Sequence, residues 1–244
     1  MRALHDSLGA DATTPQTLVF ILGMHRSGTS CLTGTLQQHG LFLGKHHTWN
    51  KHNQRGNREN QDVVDLHDAI LAANGGAWDA PPRAVVWKDA HFERAREILG
   101  EYAHEPVWGF KDPRALLALD GWKRFTTRRH FVGVFRNPIA VAHSLHQRNE
   151  MPHAKAYALW YAYNRLLYRE VCAHAMPLLS FDDPPEVFQT KATNVARELG
   201  LELAKHGDAP FYAEDLVHHS ARPAAARVPW RVRRLYARLR KLAI

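Results

Sequence analysis

A glycine-bounded loop between an apolar strand and a helix constrains this chain more than any other stretch. Residues 17–22 form an apolar, partly β-branched run that predicts a buried strand. The loop Gly23-Met24-His25-Arg26-Ser27-Gly28-Thr29-Ser30 follows, and residues 31–39 predict a helix. This order places backbone N–H groups and a helix N-terminus around an anionic group.

The loop has nearly the spacing of a Walker A loop, but it lacks the lysine of that motif. Gly23 and Gly28 enclose four residues, Thr29 stands where the Walker lysine would be, and Arg26 is the strong cation inside the loop. Nucleoside-triphosphate chemistry normally requires that lysine and an acidic Mg²⁺ ligand. The loop therefore predicts a phosphate cradle for a different ligand, with an ordinary strand–helix turn as the alternative.

Composition limits the class of protein. At 244 residues, 45% of them hydrophobic, the chain fits one α/β domain. Its apolar runs stay short of the ~18–20 residues of a membrane span, and its N-terminus lacks the pattern of a signal peptide. Cys31 and Cys172 are too few for a disulfide framework, and neither has metal-ligand spacing. We expect a reduced, cytoplasmic protein.

The positive charge is concentrated at the C-terminal end. The formal net charge is +8, and residues 222–244 carry eight basic and no acidic side chains, so residues 1–221 are neutral. Residues 228–244 place apolar side chains on one helical face and arginines on the other, with Trp230 off the apolar face. This pattern predicts either a helix on the anionic inner face of the membrane or a helix docked on the domain with a solvated basic face. We divide the chain into a flexible lead-in (1–15), a domain (16–221) and a basic amphipathic C-terminal helix (222–244).

Two further predicted strands end in charged clusters. Residues 107–110 run into Lys111-Asp112-Pro113-Arg114, and residues 130–135 run into Arg136-Asn137-Pro138. Ligands of parallel α/β sheets bind at the carboxyl ends of strands. An arginine at a strand end and a hydroxyl on the following helix, here Ser144, are able to clasp one phosphate. For the Lys-Asp-Pro-Arg cluster, a solvated turn with an internal ion pair is the alternative.

The remaining pattern predicts a mostly parallel sheet with helices on both faces. Helices are expected over 59–73, 92–99, 138–148, 153–175 and 187–199, and a further strand over 177–181. The order β-α-α-α-β-α-β-α-α-β-α favours a three-layer α/β/α fold. The His-rich stretch 44–57 is interpreted as a solvated loop at the mouth of a site, because its histidines lack a zinc spacing. Glu59 is either a favourable charge near a helix N-terminus or a general base.

Together, these motifs resemble the PAPS-dependent sulfotransferase superfamily, in which the donor is 3′-phosphoadenosine 5′-phosphosulfate (PAPS). The loop, then Phe110-Lys111-Asp112-Pro113-Arg114, then Phe135-Arg136-Asn137-Pro138 with Ser144 follow in the family's order, each at a strand end. The resemblance covers roughly residues 17–220 and is closest to the bacterial branch that is similar to tyrosylprotein and carbohydrate sulfotransferases. It implies a P-loop-containing fold and transfer of a sulfuryl group to a hydroxyl or amine of a glycan, a lipid-linked saccharide or a small molecule. It also implies that no metal is required.

The resemblance implies a role for each matching residue. The donor's phosphosulfate would contact His25, Arg26, Ser27, Gly28, Thr29 and Ser30, and Arg136 and Ser144 would hold its 3′-phosphate. Arg26 and Lys111 would stabilise the charge that develops as 3′,5′-adenosine bisphosphate leaves. Glu59 resembles the glutamate of a Glu-Asn pair in the bacterial branch and is the predicted base, with Asp112 and then His25 as alternatives.

Two other classes of function stay open on the sequence. A P-loop kinase of small substrates predicts Mg²⁺-dependent turnover of ATP, and the missing lysine argues against it. A non-catalytic nucleic-acid binder predicts salt-sensitive binding through the basic tail, and the neutral body argues against it. The partners that we expect are an acceptor substrate and, through residues 228–244, the membrane surface, but no nucleic acid.

Overall fold

Strands and helices alternate along the chain in the order that the sequence predicts. The computed structural model describes residue 15 and residues 17–48, 56–201 and 227–244. The predicted lead-in, apart from Pro15, and the centre of the His-rich loop lie outside the described residues. The elements are β1 Thr17–Leu22, α1 Thr29–Gln38, α2 Gln61–Ala73, α3 Asp89–Glu101, β2 Val107–Lys111, α4 Ala115–Trp122, β3 Arg129–Phe135, α5 Pro138–Asn149, α6 His153–His174, β4 Leu178–Ser180, α7 Pro185–Glu198 and α8 Trp230–Leu242.

The four strands pair in parallel in the order β2-β1-β3-β4. Strand β1 is central, so that Phe20 lies opposite Phe110 on one side and Phe131 on the other. A central parallel strand is covered on both faces, which explains why residues 18–22 are all buried and all apolar. The predicted fold class, a parallel sheet within an α/β/α arrangement, is confirmed.

Alternate residues of β1 point into two separate apolar layers. Leu18, Phe20 and Leu22 belong to a large cluster with side chains of helices α2 to α6 and α8. Val19 and Ile21 belong to a smaller cluster with α1 and α7. The period of two along the strand therefore produces the three layers.

Helix α2 begins two residues later than the sequence predicts, because Asn60 is its N-cap. The Asn60 side chain accepts hydrogen bonds from the backbone N–H groups of Asp62 at 3.0 Å and Val63 at 3.3 Å. Asn60 itself has an extended backbone, as N-cap residues do. Glu59 thus precedes the helix instead of lying in its first turn. Contacts with the preceding loop, and not the helix geometry, determine the position of its side chain.

The C-terminal helix α8 is docked on the domain. Val232, Leu235 and Leu239 are buried, and the hydroxyl of Tyr236 donates a hydrogen bond to Asp182 Oδ2 at 3.0 Å. The apolar face of this helix is therefore covered by protein, the second of the two arrangements that its pattern predicted. None of the described helices is long and apolar enough to span a bilayer.

Candidate functional site

The three charged motifs lie at one edge of the sheet. Strands β1, β2 and β3 are adjacent and parallel, so their carboxyl ends meet at the same edge. The glycine-bounded loop follows β1, Lys111 is the last residue of β2, and Arg136 follows β3. This edge, where parallel sheets bind ligands, is the candidate site.

The glycine-bounded loop is closely enclosed and depends on its glycines. Gly28 has φ 87°, and a Cβ there would lie 2.2 Å from Cδ2 of Phe181. At Gly23, a Cβ would lie 2.5 Å from the carbonyl oxygen of Val134. The hydroxyl of Ser27 is buried and has no hydrogen-bond partner among the described residues. A buried hydroxyl beside the N-terminus of α1 fits an anionic ligand on this loop.

Arg26 connects the loop to the motif that follows β3. Its Nε donates a hydrogen bond to Ser144 Oγ at 2.8 Å. Burial, followed by the charges of Arg148 and Arg136, lowers the pKa of Arg26 to about 10. The guanidinium stays protonated at neutral pH, although burial and the neighbouring arginines destabilise its positive charge. Three neighbouring arginines, one of them bonded to a serine hydroxyl, form an environment that an anion such as phosphate would stabilise.

Arg148 is a member of this cluster that the sequence analysis did not identify. It lies four residues after Ser144 on α5, and residues at this spacing share one face of a helix. The sequence signal that could have identified Arg148 is its position one helical turn after Ser144, the hydroxyl predicted to bind phosphate.

Phe181 was also not identified, although it joins two predicted site residues. Its ring lies against Gly28, and the guanidinium carbon of Arg136 is 5.4 Å from the ring centroid. The Phe181 N–H donates to the Phe135 carbonyl at 2.8 Å. Phe181 therefore packs between the glycine-bounded loop and Arg136. Its place directly after β4, at the carboxyl edge of the sheet, was the available signal.

Glu59 and Lys111, which are far apart in the sequence, form a largely buried ion pair. Lys111 Nζ donates to Glu59 Oε1 at 2.7 Å, with the lysine side chain 2% and the glutamate side chain 14% exposed. The other oxygen, Glu59 Oε2, accepts from Asn57 Nδ2 at 2.5 Å. The Ser30 hydroxyl donates to the Asn57 carbonyl at 3.3 Å. Asn57, which the sequence analysis did not single out, thus connects the predicted base to the glycine-bounded loop.

The two ends of the His-rich loop are fixed beside this pair. The N–H of His47 donates to the Glu59 carbonyl at 3.0 Å, and the N–H of Arg58 donates to the His47 carbonyl at 3.1 Å. His46 Nδ1 lies 2.7 Å from the Gly44 carbonyl oxygen. Within the described ranges, no group of three or more His, Cys, Asp or Glu residues is arranged to hold a metal ion.

Asp112 is held in a buried hydrogen-bond network. The indole N–H of Trp122 lies 2.7 Å from His67 Nε2, and an indole N–H can only donate. His67 Nε2 therefore accepts and its Nδ1 donates to Asp112 Oδ2 at 2.6 Å, while Arg114 donates to Oδ1 at 2.8 Å. Burial alone would raise the pKa of Asp112, but the hydrogen bond from His67 and the charge of Arg114 outweigh it and hold that pKa well below its usual range. This carboxylate fits an anchor for Arg114 better than a base.

His25 is neutral and enclosed between aromatic rings. Its ring centroid lies 4.7 Å from that of Trp78 and 5.9 Å from that of Tyr163. Burial, followed by the charge of Arg114, lowers the pKa of His25 to about 3. A histidine with so low a pKa is a weak base at neutral pH. Of the three predicted bases, His25 is thus disfavoured by its depressed pKa and Asp112 by its structural role as an anchor, which leaves Glu59.

Comparison with known proteins agrees with the architecture. No family model and no curated protein matches the sequence. Among solved structures, the sulfotransferase domain from the Synechococcus PCC 7002 olefin synthase is similar with a TM-score of 0.57 at 19% identity, over 93% of this chain and 95% of that domain. The sulfotransferase STF1 from Mycobacterium tuberculosis H37Rv aligns with a TM-score of 0.48 at 17% identity, over 79% of this chain and 70% of that one. The first comparison confirms the fold that the three motifs predicted.

Proposed function

We propose that this chain is a sulfotransferase that moves the sulfuryl group of PAPS to a hydroxyl or amine of an acceptor. A glycan, a lipid-linked saccharide or a small molecule is the expected class of acceptor. The observation that carries the proposal is a group of three neighbouring arginines, Arg26, Arg136 and Arg148, with Ser144 bonded to Arg26, beside a loop that lacks the Walker lysine. Such a site favours a ligand with an additional phosphate over a magnesium-bound triphosphate.

The residues present fit the donor. Arg26, Ser27 and the N-terminus of α1 would hold the 5′-phosphosulfate by hydrogen bonds and charge. Ser144, Arg136 and Arg148 would hold the 3′-phosphate. Because the charges of Arg136 and Arg148 disfavour the charge on Arg26, an anion that neutralises the cluster removes this repulsion as it binds.

In this proposal Glu59 is the general base, and Lys111 and Arg26 stabilise the negative charge that develops on the leaving oxygen. The donor supplies the sulfuryl group and the bisphosphate leaving group. Glu59 takes the proton of the acceptor hydroxyl or amine, a contribution of ~10²–10⁴ in rate for a general base. Lys111 and Arg26 place positive charge where the leaving oxygen becomes negative, so they stabilise the transition state more than the ground state. Asn57 orients Glu59 by donating to its second oxygen.

Calorimetric titration tests the donor site without knowledge of the acceptor. The protein is titrated with 3′,5′-adenosine bisphosphate in the absence of Mg²⁺, with ADP as the control ligand. We expect micromolar binding of the bisphosphate, much weaker binding of ADP, and loss of bisphosphate binding in Arg136→Ala. Absence of binding, or equal binding of ADP that requires Mg²⁺, would refute the proposal and favour a kinase-like activity.

An acceptor screen then tests the reaction. Release of the bisphosphate from PAPS is followed with saccharides, lipid-linked saccharides and small phenols or amines as candidate acceptors. Formation of a sulfated product that depends on Glu59 is the expected result. Binding of the donor without transfer to any of these classes would contradict the proposed range of acceptors.

A further inference from the structure

The outer face of α8 is fixed and strongly basic. The inner face of α8 packs on the domain, because Val232, Leu235 and Leu239 are buried there. Hydrogen bonds from Tyr236 to Asp182 and from the Ile244 N–H to the Leu178 carbonyl hold the helix in this position. Residues 227–244 contain no acidic residue. Their seven basic side chains are all exposed, and they are Arg227, Arg231, Arg233, Arg234, Arg238, Arg240 and Lys241.

These cations are poorly neutralised by the rest of the described protein. In the described part of the chain, one ion pair involves this face, between Arg240 and Asp183 at 3.9 Å. Arg231 and Arg238 lie over the rings of Trp230 and Tyr168 at 5.5 and 5.8 Å, contacts that leave their charge in place. The whole chain outside residues 222–244 is formally neutral, so this surface is a concentrated positive patch on a neutral body.

Apolar side chains are exposed on the same element. The large apolar residues that are exposed within the described ranges number six, and three of them, Trp230 (63%), Leu242 (40%) and Ile244 (50%), belong to or follow α8. At ~100° per residue, Trp230 lies at the centre of the outer arc, with Lys241 about 20° and Arg234 about 40° away, roughly opposite Leu239. An indole in the middle of a cationic arc thus faces away from the domain.

We propose that the outer face of α8 binds the surface of a bilayer that contains anionic phospholipids, while its inner face stays packed on the domain. The cations would contact lipid phosphates and carboxylates, and Trp230 would enter the headgroup region, where indoles are favoured. Leu242 lies about 120° from Trp230, at the flank of this face. Its exposed aliphatic side chain, like that of Ile244 at the end of the helix, gains from a lipid surface and little from a nucleic-acid backbone.

This arrangement differs from an amphipathic helix that inserts its apolar face. That face is already buried in protein, so no unfolding or undocking of α8 is needed for binding. The contact is electrostatic with an indole anchor, and we therefore expect it to be reversible and sensitive to salt.

Vesicle co-sedimentation of the full chain tests the proposal. Vesicles of phosphatidylcholine alone are compared with vesicles that contain about 30% phosphatidylserine. The test variants are Trp230→Ala and the triple replacement Arg231→Gln, Arg234→Gln and Lys241→Gln. The matched control replaces Arg83, Arg96 and Arg128, three exposed arginines on the body, with glutamine.

We expect the wild type to sediment with the anionic vesicles and not with phosphatidylcholine alone. Each cation removed should weaken binding about fivefold, so the triple variant should bind about 100-fold more weakly, whereas the matched control should bind like the wild type. Trp230→Ala should weaken binding several-fold with its charge unchanged. Circular dichroism and thermal unfolding check that each variant is folded.

Three results would overturn the proposal. They are failure of the wild type to bind anionic vesicles, equal binding of the wild type and the triple variant, and an equal loss in the matched control. Tighter binding to a random DNA duplex than to the anionic vesicles at the same ionic strength would also overturn it, since the face would then be a nucleic-acid surface.

Discussion

Replacement of Gly28 by alanine tests how tightly the Phe181 ring packs against the glycine-bounded loop, and the change in the free energy of unfolding measures this packing. The new Cβ would lie 2.2 Å from the ring, and the backbone there has φ 87°. A left-handed backbone costs an alanine about 1–2 kcal/mol, and forcing a methyl group into a packed contact adds about 1–3 kcal/mol. We expect Gly28→Ala to lower the free energy of unfolding by about 2–5 kcal/mol.

Two other glycines provide matched controls. Gly75 has φ 72° with nothing within 4 Å of its Cβ position. Gly75→Ala therefore measures the backbone cost alone, which should be about 1–2 kcal/mol. Gly100 lies inside α3 with equally open space and without positive φ. Gly100→Ala should therefore stabilise the protein by about 0.5–1 kcal/mol.

Urea unfolding of the three variants, with and without Phe181→Ala, is the assay. In the Phe181→Ala background the steric part should vanish, so Gly28→Ala should then cost about as much as Gly75→Ala, a coupling of about 1–3 kcal/mol. Bisphosphate titration of the same variants reports whether the loop still binds. Equal costs for Gly28→Ala and Gly75→Ala in the wild-type background would refute the packing described for Phe181.

Further predictions concern the ligand-binding and proton-transfer residues. Arg148→Ala should weaken binding of 3′,5′-adenosine bisphosphate about 10–100-fold and binding of AMP much less, because a charge-assisted hydrogen bond to the 3′-phosphate is lost; an equal loss for both ligands in calorimetry would contradict this. Glu59→Gln should slow sulfuryl transfer to an identified acceptor ~10²–10⁴-fold while bisphosphate affinity changes little, and an unchanged rate would remove Glu59 as the base. Lys111→Met should lower the free energy of unfolding by about 2–4 kcal/mol in urea, because it leaves the Glu59 carboxylate without its buried partner; a change within ~0.5 kcal/mol, the size of an ordinary surface substitution, would contradict it. The pKa of His25 falls from 6.5 in the unfolded chain to about 3 in the folded protein, so between these pH values the unfolded chain binds more protons and stability falls as the pH drops. In urea unfolding, about 1–2 kcal/mol of the stability that the wild type loses between pH 6.5 and about pH 5 should not be lost in His25→Gln.

Local signals were sufficient for the fold and for most of its elements. The strand at residues 17–22, the loop and the following helix are encoded by neighbouring residues, and the structure has them within one or two positions. The start of α2 was misplaced because two hydrogen bonds to the Asn60 side chain, and not the apolar period, fix it. The parallel direction of the strands followed from the alternation of strands and helices, whereas their order in the sheet was not predicted.

Contacts between residues that are far apart in the sequence could not be predicted from local patterns. The Glu59–Lys111 pair joins residues that are 52 positions apart, and nothing in either local pattern indicates the other. His67 and Trp122 look like ordinary members of helical faces, yet they determine the state of Asp112. The docking of α8 was open because the same amphipathic pattern suits a protein surface and a membrane.

The first described strand, β1, lies between β2 and β3 in the sheet, and this order affects folding during synthesis. Thr17 pairs with Val107 and Leu18 with Arg129, so the partners of β1 lie about 90 and 110 residues further along. At ~5–20 residues per second, the ribosome needs roughly 5–20 s to deliver both of them. The apolar segment 17–22 is without its sheet neighbours during that interval, and such segments are prone to aggregate. We therefore expect the yield of folded chain to depend more on chaperones that shield this segment than on the stability of the finished fold.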